Sequence, residues 1–144
     1  MIIKASAQQL SSVVDLAMKL WPDNVPEELG QELSETLKKE DAAIFLDFHG
    51  DTPVGFAQCQ LRRDYVEGTE TSPVGYLEGV YVEEGYRRCG IAKALVQACQ
   101  DWAKTMGCVE FASDCELDNI QSLQFHLSIG FLEANRIICF TKKL

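Results

Sequence analysis

Basic residues are scarce in this chain: 13 Lys and Arg stand against 22 Asp and Glu, a net charge of −9 over 144 residues. That balance excludes a nucleic-acid partner, because phosphate backbones are bound by basic surfaces. The same field would draw a small cationic molecule inward, or it serves solubility alone. Zinc-type spacing is also missing. The six cysteines, at 59, 89, 99, 108, 115 and 139, form no C-x-x-C and no Cys/His cluster, so no metal is expected. They read as reduced and structural, several of them small apolar residues in strand or helix patterns, with Cys89 the exposed exception. No apolar run is long enough to span a bilayer and no secretory pattern opens the chain, so a cytoplasmic protein without membrane contact is expected. Linkers, repeats and low-complexity stretches are absent too. Residues 1–144 are expected to form one domain, large enough to bury a core without staples.

What is present is periodic. Met1 to Lys4 reads as a short strand. Leu10, Val13, Val14, Ala17, Met18 and Trp21 form an apolar helical face ending at Pro22, and Leu29, Leu33 and Leu37 mark a second helix over Pro26 to Lys39. Ala43–Phe48 and Pro53–Leu61 are strand-like and joined by the turn His49-Gly50-Asp51-Thr52. A polar loop, Arg63 to Pro73, precedes an apolar strand from Tyr76 to Val82. A helix then runs from Ile91 to Met106 and stops at Gly107. Val109–Ser113 reads as a strand, and Asp118 caps a helix running to Ile129. Phe131 onward and Ile137–Thr141 read as the last two strands. The order predicts an α/β (α+β) fold: a mixed, mostly antiparallel central sheet with helices on both faces.

The segment Arg87-Arg88-Cys89-Gly90-Ile91-Ala92 lies between the apolar strand and the helix that follows it. A glycine permitting close backbone approach and free N–H groups at a helix start together make an anion site. The Gly-Lys-Ser/Thr ending of a Walker loop is missing. The pattern R-x-x-G-x-A after such a strand resembles the pyrophosphate loop of the GNAT superfamily of N-acetyltransferases, whose element order the chain matches. The resemblance implies acetyl-coenzyme A as co-substrate. Arg88, Cys89, Gly90, Ile91, Ala92 and Lys93 would cradle the pyrophosphate, and Val80, Tyr81 and Val82 would hold the pantetheine by strand-like backbone bonds. Asn119, Ser122, Phe125, His126, Gly130 and Phe131 stand at the spacing of the superfamily's cofactor-flanking helix. Asn119 would contact the cofactor. His126 occupies the place where a Tyr often protonates the departing thiolate. An imidazole could do so; the alternative is a helix histidine bonded to nearby backbone.

A narrower resemblance rests on Trp21-Pro22, on the run D-Y-V-x-G-x-x-x-S-P-V-x-x-L-E-G from Asp64 to Gly79, and on Ala112-Ser113-Asp114. Together these are similar to one branch of aminoglycoside 6′-N-acetyltransferases and cover most of the chain from Trp21 to Phe131. By that resemblance Trp21, Tyr65, Glu78 and Asp114 would line a pocket for a cationic aminoglycoside. Where relatives often carry a carboxylate, this chain has Asn135. A homodimer is implied as well, often with the last strands exchanged or packed between subunits, and Ile137-Ile138-Cys139-Phe140 could be such an edge or an interior strand.

The residue types suit the chemistry. Carboxylates orient a polycation by charge-assisted hydrogen bonds. Aromatic faces stack on sugars and cations. Glu78 could accept the proton of the attacking amine, directly or through a water, and the N–H near Val80 could stabilise an oxyanion. Each residue has a plainer reading: Glu78 as an outward strand residue, Asp114 as a turn cap, Trp21 as core. Two other functions stay open, a transferase for polyamines or other amines and a non-catalytic acetyl-coenzyme A binding module.

Overall fold

The computed structural model describes all residues from Met1 to Leu144. The chain runs β1 (Ile2–Lys4), a 3-10 turn (Ala7–Gln9), α1 (Leu10–Leu20), α2 (Pro26–Lys38), β2 (Ala42–His49), β3 (Thr52–Arg62) and β4 (Val74–Val82). A second 3-10 turn (Glu84–Tyr86), α3 (Ile91–Thr105), β5 (Phe111–Ser113) and α4 (Ile120–Ser128) follow. The sheet order is β1-β2-β3-β4-β5. All pairings are antiparallel except β4 with β5, which is parallel.

Local signals account for these elements. A capping box between Ser6 and Gln9 opens the turn that leads into α1. Pro26 occupies the first turn of α2, with Glu27 and Glu28 beside it and Lys38 at the far end, charges that complement the helix dipole. β4 and the Val54–Ala57 stretch of β3 are covered on both faces, which is why β4 reads as a nearly unbroken apolar run.

Side chains alternate across the sheet and divide the core in two. On one face, Val13, Leu16 and Ala17 of α1 and Leu29 and Leu33 of α2 pack on Ile44, Leu46 and Phe56. On the other, Leu95, Val96, Cys99 and Trp102 of α3 pack on Ala57, Cys59, Leu77 and Val82, with Phe125 of α4 alongside. The alternation slips at Asp47 and Phe48 between β2 and β3, and once more between β3 and β4. Gln58 pairs with Gly79 and Cys59 with Leu77, so Glu78 has no partner of its own on β3. This bulge puts Glu78 and Gly79 on the same face, the one covered by α1.

Single-domain order, mixed sheet and two-sided helices agree with the sequence reading; four details differ. β5 begins at Phe111 rather than Val109, whose side chain is exposed. Asn119, not Asp118, caps α4: its Oδ1 accepts from the Ser122 N–H at 3.0 Å. Cys115 and Cys139 are exposed along with Cys89, while Cys59, Cys99 and Cys108 are buried. The last two strands do not form. Beyond Phe131 the chain makes no backbone–backbone hydrogen bond, and Ile138 and Phe140 are 81% and 88% exposed. The pattern had the residues of a strand, but a strand exists only with a partner to complete its hydrogen bonds.

Phe56 is fully buried and meets the Trp21 ring edge-on at 5.9 Å. Phe56→Ala is expected to cost about 3–5 kcal/mol, read as a lower urea midpoint with unchanged slope.

Candidate active site

The bulge builds the site on the α1 face. Glu78 projects there and receives the guanidinium of Arg62, the last residue of β3. Nε and Nη2 of Arg62 donate to Oε1 at 3.2 and 2.9 Å, and Nη2 also donates to Oε2 at 3.0 Å. The same guanidinium lies 3.4 Å from the centroid of the Tyr76 ring. Tyr76 in turn donates its hydroxyl to Oδ2 of Asp114, just past the end of β5. Burial, and then the bonded Asp114 carboxylate, push the Tyr76 phenol well above its usual range, so it remains a donor. One chain of contacts thus joins Glu78, Arg62, Tyr76 and Asp114.

Trp21 closes one side. A Cβ on Gly79 would lie 2.6 Å from the Trp21 ring, so the glycine is what lets the indole lie against the bulge. Trp21 is therefore both core, through Phe56, and a wall next to Glu78. Below it, Lys19 pairs with Glu83, which also accepts from the Tyr81 hydroxyl at 3.3 Å, fastening the end of α1 to the end of β4.

Tyr65 and Asn135 sit elsewhere in the hydrogen-bond pattern. Tyr65 is 76% exposed, and its hydroxyl accepts from the Gly68 N–H at 3.4 Å. Asn135 donates to Oε1 of Glu67 at 2.9 Å. The two belong to one loop contact, with Ala134 packed over Gly68, and neither bonds to Glu78 or Asp114.

The opposite face carries a second set. β4 and β5 are paired only from Gly75–Phe111 to Leu77–Ser113. Beyond that point β4 continues through Val80, Tyr81 and Val82 with its β5-side edge open. At the end of β4, Arg87 folds back, donating from Nε to the Val82 carbonyl at 2.8 Å with its guanidinium 5.5 Å from the Tyr81 ring. Arg88 and Gly90 then adopt left-handed backbone, at φ 63 and 80. Gly90 is the N-cap of α3 and supplies no side-chain cap, leaving the first-turn amides at Ile91, Ala92 and Lys93 open. Nothing lies within 4 Å of where a Gly90 Cβ would be.

His126 faces Ser113 across this side. Its Nδ1 is 2.7 Å from the Ser122 carbonyl and its Nε2 is 2.8 Å from Ser113 Oγ. A carbonyl can only accept, so Nδ1 carries the proton, and in the neutral ring Nε2 accepts from Ser113. The backbone bond expected of a plain helix histidine is present, and so is a second contact that leads to the strand gap.

Arg62, Tyr76 and Ser113 were not singled out in the sequence. The signal for Arg62 was the alternation of Gln58, Gln60 and Arg62 with Ala57, Cys59 and Leu61, a strand with one face left polar.

Residues 10–131 match the model of the acetyltransferase (GNAT) family. An aminoglycoside N(6′)-acetyltransferase type 1 of Acinetobacter haemolyticus is 40% identical over 97% of this chain and 96% of its own length. One of Serratia marcescens is 39% identical over 100% and 99%. The chain belongs to the GNAT acetyltransferase family. Within it the chain lies in the aminoglycoside 6′-N-acetyltransferase branch. The structure of AAC(6′)-Iy in complex with the bisubstrate analogue CoA-S-monomethyl-acetylneamine matches with a TM-score of 0.96 and 33% identity, covering 100% of this chain and 98% of that one. The apo structure of AAC(6′)-IG from Acinetobacter haemolyticus matches at 0.95 with 38% identity, over 100% and 99%.

The GNAT co-substrate, acetyl-coenzyme A, fits the residues of the α3 face. The uncapped amides and the space in front of Gly90 suit a pyrophosphate, and the free edge of β4 suits the amide groups of a pantetheine arm. Asn119 spends Oδ1 on its cap, so its Nδ2 is the group left to donate. Gly90→Val is expected to abolish acetyl-coenzyme A binding in calorimetry, because valine resists the left-handed backbone and its side chain fills the open space. The thermal transition is expected to remain cooperative.

Proposed function

We propose that the protein transfers the acetyl group of acetyl-coenzyme A to the 6′-amine of aminoglycosides, by direct attack with both substrates bound. The single observation that carries this reading is the placement of two carboxylates, Glu78 and Asp114, on one face of the sheet where β4 and β5 part. An acceptor rich in ammonium groups is held there by charge-assisted hydrogen bonds. The thioester enters from the other face through the gap between the strands. The named activities of the relatives and the long run from Asp64 to Gly79 support the antibiotic over other amines.

Acetyl-coenzyme A supplies the activated acyl group and a thiol leaving group. The chain supplies the rest. Glu78 accepts the proton the amine must lose, directly or through one water; Arg62 leaves Oε2 the less occupied oxygen for this. The Val80 N–H, on the open edge of β4, donates to the developing oxyanion. In its protonated form His126 gives the Nε2 proton to Ser113 Oγ as that hydroxyl passes its own proton to the departing thiolate. The neutral ring left behind regains a proton from solvent. Trp21 and Tyr65 give the sugars apolar faces, and Asn135 offers a neutral contact in the loop beside Glu67. Tight approach of amine and thioester provides much of the acceleration.

The active form we assign is a homodimer. β5 is an edge strand, and the arm beyond Phe131 carries Ile137, Ile138 and Phe140 uncovered. An open edge and an unpaired apolar segment are complementary, and in a dimer each arm completes a sheet. Six free cysteines, three of them buried as thiols, fit the reducing cytoplasm, where the enzyme would protect its host from the drug.

Free thiol released from acetyl-coenzyme A is expected with kanamycin and not with an analogue whose 6′-amine is blocked. Glu78→Gln should lower kcat about 10²-fold with cofactor affinity retained. Turnover only on spermidine or a lysine peptide would reassign the acceptor; bound cofactor without any turnover would point to a binding module. Sedimentation equilibrium should give a dimer, and truncation after Ala134 a monomer.

A further inference from the structure

Arg62 belongs to none of the roles assigned above to substrate contacts, yet it touches both Glu78 and Tyr76. Its planar fork meets both oxygens of Glu78 while its flat face covers the Tyr76 ring. Three hydrogen bonds from two nitrogens therefore occupy the Glu78 carboxylate, two on Oε1 and one on Oε2. The Tyr76 hydroxyl likewise occupies Oδ2 of Asp114 and leaves Oδ1 without a protein donor. A carboxylate offers about four lone-pair positions, so the protein's own donors decide which remain. At Glu78 that is chiefly Oε2; at Asp114 it is Oδ1.

We propose that Arg62 is a positioning residue for the acceptor, which holds Glu78 directly and Asp114 through Tyr76 so that each presents one oxygen to an ammonium group of the substrate. This rests on the acceptor assignment above and deepens it. A guanidinium suits the task and a lysine does not. Only a planar fork can chelate a carboxylate and stack on a ring at once. Arg62 also keeps two nearby carboxylates from repelling each other when no substrate is bound, so the oxygens are in place before the polycation arrives. A pair this accessible adds little to fold stability: the Arg62 and Glu78 side chains are 38% and 20% exposed. Its effect falls on orientation.

The test compares wild type with Arg62→Lys and Arg62→Ala, using kanamycin and acetyl-coenzyme A. Loss of orientation predicts kcat lower by about tenfold to a hundredfold in both variants. KM for kanamycin should be unchanged or lower in Arg62→Ala, because a positive charge has left the site. Acetyl-coenzyme A affinity and melting temperature should stay near wild type. Guanidinium chloride, well below unfolding concentrations, should restore turnover to Arg62→Ala, and sodium chloride at equal strength should not. Full activity in Arg62→Lys would mean that charge alone matters, and kcat within twofold of wild type in Arg62→Ala would remove the role; either overturns the proposal. So would failure of rescue in a folded Arg62→Ala. Should that variant not fold, Arg62→Lys decides alone. A wild type that binds acetyl-coenzyme A but leaves kanamycin unmodified would overturn the acceptor assignment instead, and this proposal with it.

Discussion

The structure depends on a failure of pairing. β5 stays beside β4 for three residues, to Leu77 and Ser113, and then the strands part. Had the ladder continued, the sheet would be a closed wall between the two helical layers. Because it stops, the upper half of β4 has backbone groups on a free edge. The bulge at Glu78 stands at the same level on the other edge of β4. A residue that strict alternation would have placed against α3 is Gly79; the slip turns it to the Trp21 side with Glu78, and there the absence of a side chain is what the indole needs.

Charge is organised at two scales. The chain as a whole is acidic, which favours approach of any cation. Inside the candidate site the balance is finer: two carboxylates are answered by one guanidinium and one phenol, and each donor has a fixed geometry. The long-range field selects by charge alone. The short-range network selects by where the charges sit.

Most of the architecture was legible because burial leaves a period behind. The helical spacing of Val13 and Ala17, of Leu29 and Leu33, and of Leu95 and Trp102 marks the faces that pack on the sheet. The uncapped helix start behind Gly90 was legible from a glycine standing between an apolar strand and a helical pattern. The bulge was not, since a one-residue slip depends on pairing between β3 and β4 and leaves no local composition. Arg62 lay one residue past the strand's apparent end, so its partners on β4 could not be seen. The C-terminal strands were misread for the same reason: a strand pattern states what a segment can pair with, and no partner lies within reach in this chain. Of the candidate site, Glu78, Asp114 and Trp21 converge, whereas Tyr65 and Asn135 gather on a neighbouring loop.

The sheet also works as a partition. The groups proposed to meet the acceptor, Trp21, Arg62, Tyr76, Glu78 and Asp114, face α1, while the α3 face carries the uncapped helix start and the Ser113–His126 contact. The two cores share backbone but no buried side chain, so a substitution on one side bears chiefly on that side's packing. On the proposed assignment, the surface that meets the acceptor can change residue by residue while the surface that meets the acyl donor is kept.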